Sequence, residues 1–187
     1  MAMDLTRRSD EELYMMLRGS RDLAHGAFDE IYARHSSRVY LYCKRMTSSE
    51  EMAEDIYQET FVRFYNSAAQ VETMTNAAAY LLRIARNLCL NERQRKHNAT
   101  VPLEEIHIPA CHPTYESNEL LKLIETALET LPEEYREAFV LKEYINLSYN
   151  EIAAVIGTTM PVIRTRIYRA KAKLRGILAP YLEDLQK

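Results

Sequence analysis

The sequence has little glycine, no tryptophan and few cysteines among its 187 residues. Its four glycines are scattered, so the glycine-rich loops that cradle nucleotide phosphates are absent and a nucleotide-dependent enzyme is disfavoured. The three cysteines are odd in number and widely spaced, which predicts reduced thiols and not a disulfide framework. No apolar run approaches the roughly 18 residues of a membrane-spanning helix, and the N-terminus shows no signal-peptide pattern. We therefore expect a cytoplasmic protein that is not inserted in a membrane.

The charges are present in ordinary amounts but are unevenly distributed. Hydrophobic residues make up 47% of the chain and charged residues 27%, and the net charge is −3, which by itself does not suggest a nucleic-acid-binding protein. However, 152–182 carries six basic residues and no acidic one, and 83–96 carries five basic residues against one acidic residue. Acidic residues concentrate in 50–59 and 104–134. Separate basic and acidic surfaces predict a polyanionic partner and a basic partner, although solvated helix faces would give the same counts.

Apolar residues recur at spacings of three and four along most of the chain, and no alternating strand pattern is found, which predicts an all-α fold. Ser9 with Glu12, and Ser148 with Glu151, form capping boxes that predict two helix starts. Gly19 is suited to end the first of these helices. The residues expected to face inward from the second and third helices are Phe28, Ile31, Tyr32, Val39, Cys43, Met52, Ile56, Thr60, Phe61 and Phe64.

The helical pattern stops over 98–115, where three prolines occur without any helical period. A break of this length is rare inside one compact domain. The sequence therefore predicts two small helical domains, 1–97 and 116–187, joined by a flexible linker.

The strongest local signal is a helix-turn-helix spacing in the C-terminal domain. Ala153 is a small residue where two helices can cross, Gly157 suits a left-handed turn, and Ile163 can plug the second helix against the first. The spacing alone would also fit an ordinary helical corner, but the basic second helix favours DNA, because arginine can read guanine edges in the major groove. The residues expected on its outer face are Arg164, Thr165, Tyr168, Arg169 and Lys173.

A second candidate nucleic-acid surface lies where aromatic residues precede the basic helix 76–96. Phe61, Phe64, Tyr65 and Tyr80 flank the polar segment 66–75. Aromatic rings beside a basic groove suit single-stranded DNA, because bases stack on the rings while cations neutralise the backbone. We expect Phe61 to belong to the core and Tyr65 to serve binding.

Four segments, taken in order, resemble those of extracytoplasmic-function (ECF) sigma factors of bacterial RNA polymerase. They are 28–46, 53–65, 77–96 and 131–175, and the second reads AEDIYQETFVRFY. They resemble the first helix of the region-two domain, the polymerase-docking helix, the promoter-melting helix and region four. The resemblance covers nearly the whole chain. It implies a protein without enzymatic activity or cofactor that directs core RNA polymerase to promoters, melts the DNA and starts transcription.

The resemblance also implies three sets of functional residues. The residues that would face the basic clamp helices of the polymerase are Asp55, Gln58 and Glu59. Those that would contact the melted minus-ten element, beside a loop at 66–75 that captures a flipped base, are Tyr65, Asn87, Asn91, Arg93 and Arg95. Those that would contact the minus-thirty-five element are Arg164, Thr165, Arg169 and Lys173. Tyr65 departs from the family pattern, in which tryptophan usually stands at this position.

Other interpretations of the chain differ in the partners they require. A stand-alone helix-turn-helix regulator would bind specific duplex DNA without polymerase, and a helical adaptor would bind proteins only. Many relatives of the family bind an anti-sigma factor, which makes one a candidate partner here beside core polymerase and promoter DNA. His107, Cys111 and His112 lie close together, but a fourth ligand is missing, so no metal site is predicted.

Overall fold

A computed structural model describes residues 4–47, 49–71, 74–98 and 117–184. The elements in chain order are α1 (Asp10–Met16), α2 (Arg21–Met46), α3 (Glu50–Ser67), α4 (Ala77–Asn98), α5 (Ser117–Glu129), α6 (Glu133–Phe139), a π-helical turn (Val140–Tyr144), α7 (Tyr149–Ile156) and α8 (Met160–Asp184). The described ranges contain no β-strand, and the predicted all-α fold is confirmed. One compact unit contains α1–α4, and a second contains α5, α6, the π-helical turn, α8 and most of α7.

The start and end of α1 show one correct and one incorrect expectation. The Ser9 hydroxyl accepts a hydrogen bond from the Glu12 amide at 3.2 Å, and the Glu12 carboxylate accepts one from the Ser9 amide at 2.9 Å. The Ser9 amide, followed by Arg8, lowers the pKa of Glu12. Gly19 does not end α1, because the helix ends at Met16 with Leu17 as its cap. A Cβ at Gly19 would lie 2.9 Å from a Leu23 methyl and 3.1 Å from the Met16 carbonyl oxygen, so a larger residue there would require both groups to shift.

The core of the first unit forms where α2 packs against α3 and α4. Tyr14, Tyr42 and Phe64 are fully buried there, and Phe64 meets Tyr14 edge-on at 5.4 Å between ring centroids. The expectation for Tyr32 was wrong, since this side chain is 40% exposed. The remaining predicted inward residues are buried, apart from Phe28 and Met52, which are half-buried.

Two of the three cysteines lie in this core. Cys43 and Cys89 are buried free thiols, as expected for reduced cysteines. A hydrogen bond with Cys89, together with burial, raises the pKa of the Cys43 thiol.

The second unit surrounds a cluster of buried residues from α5, the turn after it and α8. Its members are Ala127, Leu128, Leu131, Ala170 and Leu174. α6 follows Pro132 and passes into the π-helical turn, in which the Ile145 amide reaches the Val140 carbonyl at 3.1 Å. Asn146 then takes φ of 60°, a left-handed conformation that asparagine tolerates better than most residues. The chain is thereby turned toward α7.

Helix α8 continues through Pro180 to Asp184. Apart from Asn98, the predicted linker lies outside the described residues, as do His107, Cys111 and His112. Among the described helices, none combines the length and apolar content needed to cross a membrane.

Candidate nucleic-acid and protein interfaces

The turn between α7 and α8 has the backbone geometry that the sequence predicts for a helix-turn-helix. Gly157 takes φ of 79°, and its amide and that of Thr158 both donate to the Ala153 carbonyl, at 2.9 and 3.0 Å. Nothing lies within 4 Å of a Cβ built at Gly157, so the left-handed backbone and not crowding selects glycine. Ile163 is fully buried, as its predicted role as a plug requires.

A continuous apolar stripe holds α8 against its unit and fixes which side chains face outward. Ile163, Ile167, Ala170 and Leu174 are buried at spacings of three and four residues. The predicted DNA-contacting residues Arg164, Thr165, Arg169 and Lys173 are all exposed. Tyr168 lies on the same side and is 75% exposed. The helix therefore presents a face of cations around one aromatic ring.

Not every cation of α8 contributes to this face. Arg166 pairs with Glu134 of α6 at 2.7 Å, and Lys171 pairs with Glu143 of the π-helical turn at 2.8 Å. Counting six basic residues and no acid over 152–182 therefore overstated the positive charge that this face presents, and α8 itself ends in Glu183 and Asp184. Both acids lie more than twenty residues away in sequence, and no local pattern signals the pairing.

Three of the four side chains expected to reach DNA contact neutral groups instead. The Arg164 guanidinium lies over the Tyr149 ring, 5.6 Å from its centroid. Arg169 donates to the Tyr135 hydroxyl at 3.0 Å, which raises the pKa of Arg169. The Thr165 hydroxyl donates to the Pro161 carbonyl at 3.0 Å, so its proton is used within the helix and its lone pairs remain available as acceptors.

A cavity of about 310 Å³ lies beside these contacts, between α6 and the start of α8. Its lining residues are Glu134, Tyr135, Pro161, Val162, Thr165, Arg166 and Arg169. Because Arg166 and Arg169 line this cavity, it belongs to the same surface of α8 and α6 as the contacts with Glu134 and Tyr135.

On α4, the predicted minus-ten residues divide between two sides of the helix. Asn87, Asn91 and Arg95 are exposed and follow one another at intervals of four, so they share one face, which Arg83 extends. Arg93 lies about 200° round the helix from Asn91 and is half-buried. Arg95 also pairs with Glu92 at 2.9 Å. The structure therefore groups three of the four α4 residues.

The aromatic residues before α4 are similarly divided. Phe61 and Phe64 are buried, as expected for Phe61, and Phe64 packs near Tyr80 with ring centroids 6.1 Å apart. Tyr65 is 36% exposed and stands edge-on to Phe28 of α2 at 5.5 Å. It is thus the available ring at the end of α3.

The end of α3 and the segment that follows it are held by α1 and by Arg18 in the turn after α1, a feature with no sequence signal. Arg18 donates to the Ala68 carbonyl at 2.6 Å and also to the carbonyl of Val71. The Tyr14 hydroxyl lies 3.0 Å from the Ser67 hydroxyl. These contacts fix the entry to the predicted base-capturing loop at 66–75.

The outer face of α3 carries the predicted polymerase-binding residues. Asp55, Gln58 and Glu59 are all exposed and lie at helical spacings of three and four, so they share a face. Glu59 pairs with Arg63 at 2.6 Å. Val62, which is 53% exposed, continues the face beyond Gln58 and was missed because a single valine has no functional signature.

An aromatic cluster borders this face between α2 and α3. The Tyr57 hydroxyl donates to the Tyr32 hydroxyl at 2.6 Å. Burial, followed by this hydrogen bond, raises the pKa of Tyr57.

Among the described residues no group of three or more histidine, cysteine or acidic side chains is arranged to hold a metal ion.

Comparisons with known proteins agree with this architecture. Residues 31–99 match the family description Sigma-70 region 2, and residues 121–174 match Sigma-70, region 4. The chain is 34% identical over 165 residues to the ECF RNA polymerase sigma factor SigE of Mycolicibacterium smegmatis, covering 84% of this chain but 64% of that protein. It is 33% identical over 161 residues to the RNA polymerase sigma factor CarQ of Myxococcus xanthus, covering 84% of this chain and 92% of CarQ.

A solved structure has the same fold. The sigma factor RpoE of Bartonella quintana, crystallised with the anti-sigma factor NepR, matches with a TM-score of 0.66 and 25% identity, covering 81% of this chain and 96% of that one. The chain thus combines two helical units, the second of which carries a helix-turn-helix with a cationic outer face. Together with the two region matches and the similarity to CarQ, these features show that the chain belongs to the ECF family of RNA polymerase sigma factors.

Proposed function

We propose that residues 1–97 dock on core RNA polymerase and melt the minus-ten element, and that residues 116–187 recognise the minus-thirty-five element. The chain would act without catalysing a reaction of its own, in the cytoplasm where polymerase and promoter DNA meet. The observation that carries the proposal is the cationic face of α8, which stands above a buried apolar stripe. A helix fixed in this way can enter a major groove with its outer side chains leading.

For polymerase docking, we propose the α3 face that contains Asp55, Gln58, Glu59 and Val62. Two carboxylates beside an exposed valine suit a basic protein surface with some apolar content. Asp55 and Gln58 lie opposite the buried Ile56 and Phe64 side of α3. A partner can therefore contact them without disturbing the core.

For the minus-ten element, we propose that Asn87, Asn91 and Arg95 of α4 contact the DNA, with Tyr65 as a stacking ring. Asparagine side chains can hydrogen-bond to base edges, and an aromatic ring can support an unstacked base. Arg93 also belongs to the proposed set, and its half-buried position suggests contact with the backbone and not with a base edge.

An anti-sigma factor is a further proposed partner, because RpoE of Bartonella quintana forms a complex with NepR. Its test is competition: such a protein should displace core polymerase from the purified chain. Simultaneous binding of the anti-sigma factor and core polymerase to the chain, each with undiminished affinity, would contradict this part of the proposal.

The main experiment adds the purified chain to core polymerase freed of sigma factors and maps transcript starts on genomic templates. We expect initiation at a small set of defined starts that share an upstream element. Core polymerase alone serves as the control. The absence of specific initiation on every template would contradict the proposed function.

A further inference from the structure

The cations of α8 have two chemically different kinds of partner. Arg166 and Lys171 face carboxylates, at 2.7 and 2.8 Å. Arg164 and Arg169 face tyrosines, the first through the ring at 5.6 Å and the second through the hydroxyl at 3.0 Å. The pairing therefore sorts the cations of one helix into two groups.

The two kinds of partner have different electrostatic consequences. A glutamate beside an arginine opposes its positive charge and would also repel a DNA phosphate. A tyrosine attracts the guanidinium through its ring or its hydroxyl oxygen but leaves the positive charge intact. Arg164 and Arg169 can therefore be ordered by direct contacts that do not cancel their charge, although Glu134 also acts electrostatically on Arg169.

We propose that Tyr149 and Tyr135 are positioning residues that hold Arg164 and Arg169 in the orientation in which they meet DNA. The inference rests on the proposed recognition of the minus-thirty-five element by α8. An exposed arginine otherwise loses much side-chain freedom when it binds, and holding it beforehand lowers that cost. The tyrosines would therefore affect DNA recognition without touching a base.

Both tyrosines are themselves fixed by their surroundings. Tyr149 is the first residue of α7 and lies inside the capping box formed by Ser148 and Glu151. Its ring also lies 5.2 Å from the Lys142 ammonium, which donates to the Leu147 carbonyl at 3.1 Å. Tyr135, on α6, packs against the buried cluster of the second unit. Each tyrosine thus stands on an ordered element outside α8.

The two contacts differ in which part of tyrosine they use, and this difference provides a crossed test. Tyr149→Phe keeps the ring that Arg164 contacts, whereas Tyr149→Leu removes it. Tyr135→Phe keeps the ring in its packing but removes the hydroxyl that Arg169 contacts. We therefore expect Tyr149→Phe to retain recognition and Tyr135→Phe to impair it, so that the same substitution has opposite outcomes at the two positions.

The measurement is initiation by holoenzyme carrying each variant, on templates that differ at single positions of the upstream element. Tyr149→Leu should lower discrimination at the position read by Arg164 by about two- to five-fold. Tyr135→Phe should lower promoter binding through Arg169 by about two- to ten-fold. In an Arg164→Ala background, Tyr149→Leu should add no further loss, because the side chain it positions is already gone.

Three outcomes would overturn the proposal. The first is a Tyr149→Leu protein that is as discriminating as the unsubstituted chain. The second is an equal loss on all templates that persists in the Arg164→Ala background, which would indicate structural damage. The third is a Tyr135→Phe protein with unchanged promoter binding.

Circular dichroism of each variant separates unfolding from loss of recognition, and Tyr149→Phe provides a folded comparison if Tyr149→Leu unfolds. Failure of the unsubstituted holoenzyme to initiate specifically would contradict the proposed function itself.

Discussion

Helices α3 and α8 are anchored by the same physical means but present different surfaces. α3 buries Ala53, Ile56, Phe61 and Phe64, and α8 buries Ile163, Ile167, Ala170 and Leu174. The outer face of α3 combines carboxylates with an exposed valine. That of α8 combines cations with an exposed tyrosine. The buried stripes therefore determine where each helix lies, and the outer faces determine what it can bind.

The two helices also differ in where the partners of their charged side chains come from. On α8, acids from α6 and the π-helical turn neutralise Arg166 and Lys171, while tyrosines contact Arg164 and Arg169. On α3, Glu59 has a basic neighbour on its own helix, Arg63. The cationic face is thus organised by tertiary contacts, whereas the Glu59–Arg63 pair on the α3 face is local. Substitutions on α8 should consequently be more sensitive to the surrounding helices.

The largest expected effect comes from removing the anchor of α8. Ile163→Ala should lower the free energy of unfolding of the second unit by about 2–5 kcal/mol, because it leaves a cavity at a fully buried position. The exposed neighbour Val162 gives a matched control, and Val162→Ala should change stability by no more than about 0.5 kcal/mol. Thermal and chemical unfolding measure both. Equal destabilisation by the two substitutions would contradict the assignment of the buried stripe.

The next effect concerns the face of α3. Asp55→Arg should weaken binding to core polymerase by about 2–4 kcal/mol, since it places a cation against the proposed basic surface. Helicity should stay unchanged, because Asp55 is exposed. Glu11→Arg, on the exposed side of α1, makes the same charge change elsewhere in the first unit. If both variants elute with core polymerase to the same extent, the α3 face is not the docking surface.

Features set by a few neighbouring residues were predictable from the sequence. The capping boxes at Ser9 and Ser148 and the turn at Gly157 depend on local backbone geometry, and the structure contains all three. Ile163 was predictable because its spacing from Gly157 reflects a short, rigid turn. These elements were sufficient to predict the all-α fold with a C-terminal helix-turn-helix.

Features set by contacts between distant segments were not predictable. Nothing around Arg166 signals that Glu134 neutralises it, and nothing around Tyr149 signals a contact with Arg164. The composition of the α8 face could therefore be predicted, but not the availability of each charge.

A finer test separates two cations on the outer face of α8. Arg164→Ala should cost about 1–3 kcal/mol of discrimination at one upstream position, as expected for a residue that reads a base. Lys173→Ala should weaken binding to all promoters alike and reduce the slope of log affinity against log salt by about one, as expected for a phosphate contact. Holoenzyme binding to template variants at several salt concentrations measures both quantities.

The outcome of that test assigns the two roles. If Lys173→Ala reorders the ranking of templates while Arg164→Ala leaves it unchanged, the roles of base reader and phosphate anchor are reversed. If neither substitution alters binding, α8 does not contact this DNA. A merely destabilised domain would lower binding on all templates without either signature.

The smallest expected effect tests whether Glu134 withholds a cation from DNA. Glu134→Gln removes the charge that pairs with Arg166 at 2.7 Å while keeping the shape of the side chain. Because the pair is partly exposed, the loss of folding stability should be only about 0.2–1 kcal/mol. Promoter binding should become tighter and the salt slope steeper by up to about one, since Arg166 becomes available to a phosphate.

Glu129→Gln is the control for this substitution, because it removes the same charge from an exposed position at the end of α5. It should leave the salt slope closer to that of the unsubstituted chain, since long-range screening weakens the effect of a distant exposed charge. Equal slopes for the two variants would mean that only net charge matters and that the Arg166 pair does not control access to DNA. A steeper slope for Glu134→Gln alone would show that a carboxylate of the same chain limits how many cations of α8 reach the promoter.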